Sequence, residues 1–300
     1  MYALLFPGQG SQTVGMVETL YKKYQHVKKL FDTANNILNF NLSDIIFNGP
    51  LEKLTLTQYA QPALVTASAA ILRCYLEEQG KDISEVSSYV AGHSLGEYSA
   101  LVAAKALTFE DAIQLVYTRG CAMQEVVPEG KGSMAAIIGL TIEDIEACLP
   151  NDNTCVVAND NSNGQVVISG LNDSMEAVIK SLKIKGAKRC IPLSVSAPFH
   201  SHLMQKAADI MQDALSKVVL KDPIIPVVCN VMAQPITKKE DVKECLVEQI
   251  CGRVRWRESI LTLESLGVDN FIEVGPGKVL TGLGKRIIQD VNHSVLELSA

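Results

Sequence analysis

The chain has 300 residues, 47% of them hydrophobic and 20% charged, with a formal net charge of −6. That balance supports a sizeable core and excludes a globally disordered chain, and the negative charge disfavours nucleic acid as the main partner. The length exceeds one average domain, so two domains, or one with an insertion, are expected.

Tyr2 to Phe6 reads as a buried strand. It is too short, and lacks the basic lead-in, for a signal peptide. Pro7-Gly8-Gln9-Gly10-Ser11-Gln12 follows. As a dinucleotide fingerprint it fails, because Thr13 stands where the third glycine is needed. Two readings remain: a tight turn, or a loop presenting backbone N–H groups and the Gln9 side chain. Met16 to Asn39 is expected to be largely helical, with Lys22, Lys23, Lys28 and Lys29 on a solvated face, and Gly49-Pro50 breaks the pattern. Leu54 to Leu72 carries no charge. Its Gln58, Gln61, Pro62 and threonines mark a helix start in a soluble core rather than a membrane span. Pro62 opens that helix and Gly80 stops it.

Gly92-His93-Ser94-Leu95-Gly96 fits the pattern Gly-x-Ser-x-Gly. Tyr89 to Ala91 before it suits a buried strand, and Leu95 to Leu107 after it suits an Ala- and Leu-rich helix. Glycines at 92 and 96 let strand and helix come close. Ser94 then stands at a helix N-terminus, where free N–H groups favour a negative oxygen. This is the design of a nucleophile elbow, although the pattern alone also fits an ordinary loop or cap serine.

Thr108-Phe109-Glu110-Asp111 resembles a capping box that starts a helix through about Val126. Arg119 lies late in it, where an arginine complements the helix dipole. Pro128-Glu129-Gly130-Lys131-Gly132 marks a boundary. Beyond it, the expected elements are a strand over 133–140, a helix over 141–149 and a strand over 155–158. The turn-rich Asn159 to Gly164 leads to a strand over 165–169, a helix over 173–185 and a strand over 188–195. The order β-α-β-β-α-β is that of a ferredoxin-like unit, so 130–195 is expected to be an inserted subdomain. The remainder, 1–129 and 196–300, reads as a large α/β-hydrolase-like domain with a mainly parallel sheet. Its later elements are helices over 203–220, 241–250 and 256–266, and strands over 224–229 and 271–274. Gly275-Pro276-Gly277-Lys278 is not a phosphate loop, because the spacing is wrong and Val279 replaces the required Ser or Thr.

The eight cysteines, at 74, 121, 148, 155, 190, 229, 245 and 251, form no Cys-x-x-Cys pair. No metal site is expected, and such scattered thiols suit a reducing, cytoplasmic setting. A serine nucleophile needs a base, and there are five histidines. His26 sits among lysines, His293 lies near a tail, and His93 is turned away by its place beside Ser94. His200 and His202, in a loop after Pro198, remain as candidates.

Six segments together are similar to the malonyl-CoA:acyl carrier protein transacylases, nearly end to end and in order. They are Pro7 to Gln12, Gly92 to Tyr98, Tyr117-Thr118-Arg119-Gly120, Asn159 to Gly170, Pro198-Phe199-His200-Ser201 and Glu273 to Gly277. The resemblance implies that Ser94 attacks the malonyl thioester, and that His200 is the base and then the acid. It implies that Arg119 pairs with the free malonyl carboxylate. The backbone N–H groups of Gln9 and Leu95 would form the oxyanion hole, and the Gln249 backbone carbonyl would orient His200. Asn159 and Asn161 would face the cleft, and Phe199 would crowd out a methylmalonyl branch. The family often has proline where Asn163 stands. No cofactor is implied: the substrate is malonyl-CoA, and phosphopantetheine is carried by the partner, acyl carrier protein. A basic rim of Lys185, Lys188, Arg189, Lys278, Lys285 and Arg286 would suit that acidic partner; scattered solvated lysines are the other reading. A monomer serving fatty acid synthesis is expected, with no nucleic-acid or membrane partner. The alternatives are a stand-alone polyketide acyltransferase, an acyl-thioester hydrolase on the same residues, and a non-catalytic carrier-docking protein. Arg119 argues against a general esterase.

Overall fold

The computed structural model describes residues 1–128, 130–193, 195 and 197–298. The expected boundary residues Glu129 and Ser196, and Ser194 in the expected last strand of the insert, lie outside the described residues.

The strands are β1 (Tyr2–Phe6), β2 (Tyr89–Gly92), β3 (Gly132–Ile138), β4 (Cys155–Ser162), β5 (Gln165–Leu171), β6 (Arg189–Pro192), β7 (Val227–Cys229), β8 (Gln234–Ile236), β9 (Asn270–Glu273) and β10 (Asn292–Val295). A six-stranded sheet runs in the order β10-β9-β1-β2-β7-β8. Its pairs are parallel except β7 with β8. β1 shows why the sheet is buried on both faces. Leu4, Phe6 and Val90 belong to one apolar cluster, while Ala3, Leu5 and Ala91 belong to another. Alternate residues point to opposite faces, so a run without polar residues needs helices on both sides.

The second sheet is antiparallel, in the order β4-β5-β3-β6. The helices Ile142–Glu146 and Asn172–Lys185 are interleaved with its strands, and Ile137, Ile145, Val166, Ile168, Val178 and Leu182 share its core. Counted within the unit, the strand order is 2-3-1-4, the ferredoxin-like arrangement. β4 is tied to the rest of the chain by an isolated parallel bridge, Asn159 to Val254. The Asp160 N–H donates to the Val254 carbonyl at 2.9 Å. An ion pair joins Asp160, 1% exposed, to Arg257 at 2.8 Å.

Several local expectations are corrected. The helix expected from Pro62 starts at Thr57 and runs to Gln79, with Pro62 inside it. Proline there removes one backbone donor. Burial of Ala60 to Ser68 outweighs that loss. Met16 to Asn39 is largely helical as expected, in two helices, Glu18–Lys23 and Gln25–Leu38, parted at an extended Tyr24. The helix after the elbow is Gly96–Ala103 and stops short of Leu107, because the chain turns at Lys105 with φ 57°. β4 continues through Ser162, so Asn159 and Asn161 lie on a strand with two register shifts rather than in a turn. The helix expected over 203–220 is a short turn, His202–Met204, followed by a helix over Gln205–Ser216. β8 and β10 were not anticipated: Gln234-Pro235-Ile236 and Asn292-His293-Ser294-Val295 show no apolar alternation. Among the described residues no helix is long and apolar enough to cross a membrane.

Candidate active site

The parallel register sets Phe6 beside Gly92, so the loop after β1 and the turn after β2 emerge together at the same end of the sheet. In sheets of this kind ligands bind beyond the carboxyl ends of the strands. A Cβ at Gly92 would overlap the Gly96 carbonyl, and one at Gly96 would overlap the Phe6 carbonyl. Strand, turn and helix therefore meet backbone to backbone. Between the glycines, Ser94 takes φ 51°, the left-handed region. Such strain costs about 1–3 kcal/mol and persists where surroundings over-determine it. Here the Ser94 N–H donates to Asn230 Oδ1 at 2.7 Å, and Gln249 Nε2 donates to the Ser94 carbonyl at 3.0 Å.

Ser94 Oγ lies 2.8 Å from His200 Nε2 and 3.0 Å from Arg119 Nη2. The other ring nitrogen, His200 Nδ1, donates to the Gln249 carbonyl at 2.8 Å. That bond leaves Nε2 free to accept the serine proton. Burial, and then the Arg119 charge, push the His200 pKa down to about 3, so the imidazole is neutral at physiological pH. A neutral imidazole within hydrogen-bond reach is what a general base requires.

Arg119 is 2% exposed and sits inside the helix Phe109–Glu125, not in its last turn. Its hydrogen bonds go to two amides and a hydroxyl: Gln61 Oε1 at 2.9 Å, Gln249 Oε1 at 3.0 Å and Ser94 Oγ. Nε has no partner among the described residues. A helix-dipole role is thereby excluded. A buried guanidinium held by neutral groups favours an anion beside it.

A cleft of about 280 Å³ brings together Ser94, Leu95, Arg119 and His200 with Gln9, Phe199, Asn159 and Asn161. Gln249 stands behind it, fully buried. Neither the Gln9 nor the Leu95 backbone N–H meets an acceptor among the described residues. Asn161 Oδ1 is 2.7 Å from His93 Nε2, so His93 faces the insert and not the serine. His202 is exposed, and His26 pairs with Glu77 at 2.7 Å. His293, near the tail, lies on β10, buried and stacked on Phe271 at 5.0 Å. Among the described residues no three His, Cys, Asp or Glu side chains gather as a metal site.

Three members of the site were missed. Glu97 is 1% exposed, and burial pushes its pKa up to about 7 against hydrogen bonds from Asn230 and Gln249. Its signal was present: it is the one charged residue between Leu95 and Ala104. Asn230, after β7, and Gln61, in the uncharged stretch Leu54 to Leu72, follow no pattern that marks them.

The arrangement combines a hydroxyl, a neutral base, two unclaimed N–H groups and a buried cation. It can form an acyl-serine from an activated acyl group that carries a negative charge. The comparisons with known proteins agree with that chemistry. Residues 3–298 match the model of the acyl transferase domain family. A malonyl CoA-acyl carrier protein transacylase of Bacillus subtilis is 48% identical over 289 residues, 95% of this chain and 90% of that protein. The crystal structure of an acyl-carrier-protein S-malonyltransferase from Bartonella henselae superposes with a TM-score of 0.96 at 45% identity, covering 100% of this chain and 96% of the other. A malonyl-transacylase solved with a type II polyketide acyl-carrier protein superposes with a TM-score of 0.92 at 43% identity, covering 98% and 94%.

Proposed function

Since this chain belongs to the malonyl-CoA–acyl carrier protein transacylase family of acyl transferases, we propose that it moves malonyl groups from malonyl-CoA to the phosphopantetheine thiol of acyl carrier protein. Ser94 Oγ bonds to the thioester carbonyl carbon as His200 Nε2 takes its proton. The oxyanion is met by the N–H groups of Gln9 and Leu95, each worth about 3 kcal/mol when well aimed. The C–S bond breaks, and His200 returns the proton to the departing CoA sulfur. The carrier thiol then repeats the sequence in reverse, so ping-pong kinetics follow. The Gln249 carbonyl keeps His200 in the required tautomer, and Arg119 receives the malonyl carboxylate. Asn159 and Asn161 bring the insert, read as residues 130–195, to the cleft edge. Phe199, 7% exposed beside His200, limits branched acyl groups. The reaction needs no cofactor beyond its substrates. Eight free thiols support a cytoplasmic setting.

One observation carries this reading: the buried Arg119 guanidinium stands 3.0 Å from the Ser94 hydroxyl. The test is intact-mass measurement after brief exposure to malonyl-CoA, with Ser94→Ala as control. A gain of one malonyl group, absent in the control and discharged by carrier protein, supports the transfer. CoA release without an adduct would make the chain a hydrolase instead. The fatty acid carrier is the expected acceptor. The match to a transacylase bound to a polyketide carrier favours a second reading, so discharge should be compared on both carriers.

A further inference from the structure

Beneath Ser94 lie buried side chains, Glu97, Asn230 and the amide of Gln249, to which the transfer steps give no part. Glu97 Oε2 accepts two hydrogen bonds, from the Asn230 backbone N–H at 2.9 Å and from Gln249 Nε2 at 2.9 Å. Asn230 in turn takes the Ser94 N–H on Oδ1 and donates Nδ2 to the Gly92 carbonyl, each at 2.7 Å. Gln249 donates to the Ser94 carbonyl with the same nitrogen and accepts from Arg119 Nη2 with its oxygen. A side-chain amide can present either end in either direction. The Glu97 carboxylate and the Ser94 carbonyl only accept and Arg119 only donates, so all three fix one choice: the Gln249 NH₂ faces Glu97 and Ser94, and its oxygen faces Arg119.

We propose that Glu97 is a positioning residue for acyl transfer. Through Asn230 and Gln249 it holds both sides of the Ser94 peptide in its left-handed turn, and it aims Arg119 at the Ser94 hydroxyl. This rests on the reading of Ser94 as the nucleophile. The arrangement also explains a carboxylate in an apolar helix. Arg119 and Glu97 do not touch, but the Gln249 amide links them, accepting from one and donating to the other.

The network has a pH signature. Glu97 titrates at about 7 and His200 at about 3, so a loss of rate on the acid side of neutrality belongs to Glu97 and not to the base. The other ionisable groups facing Glu97 are Arg119 from its helix, Tyr98 from Glu97's own helix and Cys229 from β7. Tyr98 and Cys229 are held protonated well above neutrality, and burial does not take the charge from Arg119 near pH 7. When Glu97 gains a proton it loses its negative charge, and the two charge-assisted bonds that Oε2 accepts from Asn230 and Gln249 weaken.

The experiment is single-turnover acylation by malonyl-CoA, read by intact mass from about pH 5.5 to about 8.5, with thermal melting of each variant. Wild type should lose rate as pH falls through about 7. Glu97→Gln keeps an acceptor oxygen without a titrating proton. It should stay within about tenfold of wild type at the alkaline end and show no acid limb. Glu97→Ala should lose about a hundredfold in rate with little change in the half-saturating malonyl-CoA concentration, as expected when alignment rather than binding is lost. A folded Glu97→Ala that acylates like wild type, or a Glu97→Gln that keeps the wild-type acid limb, overturns the proposal. Should Glu97→Ala fail to fold, the Glu97→Gln profile alone decides. A wild-type chain that forms no adduct at any pH overturns the transacylase reading and this one with it.

Discussion

The Ser94 oxygen stands between a base and a cation, His200 on one side and Arg119 on the other. Burial, and then the same guanidinium, depress the imidazole. Losing a charged hydrogen-bonded partner costs about 1.5–3 kcal/mol, so Arg119→Ala should lose about ten- to a hundredfold in malonyl transfer. Its relative acceptance of acetyl-CoA should rise, as kcat/KM for the two thioesters would show. Unchanged malonyl transfer would leave Arg119 no part in recognition. Stability follows a separate sign. The folded-state pKa of Glu97 is raised from 4.5 to about 7, so its contribution is complete below about 4.5 and is lost as pH rises through about 7. Gln has no such dependence. The melting temperature of Glu97→Gln relative to wild type should therefore climb between those two pH values, and a flat difference would contradict the burial cause. The histidine has the opposite sign: burial holds His200 near 3, so its contribution is complete above its ordinary 6.5 and is lost as pH falls towards about 3.

At the scale of elements, the elbow depends on contact between backbones. Gly92→Ala and Gly96→Ala each press a methyl group into a carbonyl of a neighbouring segment. Each should cost about 3 kcal/mol or more, because rigid main chain cannot move aside. Gly10→Ala is the contrast: φ is +104° but nothing lies within 4 Å, so only the conformational cost, about 1 kcal/mol, is expected. Denaturant unfolding of the three variants would rank them. A Gly96→Ala as stable as Gly10→Ala would mean that strand and helix can separate. On the insert side, the two register shifts of β4 flank Asp160, and the Asp160–Arg257 ion pair fastens the strand that carries Asn159 and Asn161.

Across the whole molecule, the net charge is −6, and several basic residues lie near the insert. The Lys188 side chain packs on Gly139, the Gly139 N–H donates to the Gly164 carbonyl at 2.9 Å, and Asn163 donates to the Arg286 carbonyl at 3.2 Å. These contacts bring Lys188, and the helix end that carries Arg286, to the turn at Asn163-Gly164. Lys185 is partly engaged by Asp144 at 3.3 Å, and Arg286 hydrogen-bonds Gln165. Exposed charges steer encounter more than they add affinity. Reversing Lys188, Arg189 and Lys285 to Glu should raise the KM for an acidic carrier at low salt and leave acylation by malonyl-CoA unchanged. Equal carrier kinetics before and after reversal would assign these residues to solvent alone.

The chain by itself determined what is written locally. Gly-x-Ser-x-Gly between an apolar strand and an Ala-rich helix specified the elbow, because glycine spacing and strand-to-helix sterics act over five residues. The β-α-β-β-α-β rhythm specified the insert for the same reason: periodicity and turn residues report on neighbours. β8 and β10 escaped, since sheet edges need no apolar alternation. Tertiary structure alone decided the rest of the site. On residues alone Arg119 read as a helix-end cation, and His200 could not be told from His202. Only packing brought Arg119 to Gln61 and Gln249, across 58 and 130 residues, and Asn230 to Ser94 across 136. Glu97 shows where the two meet. Its sequence showed a charge inside an apolar helix, but the cost of burying that charge is met by partners that no local pattern encodes.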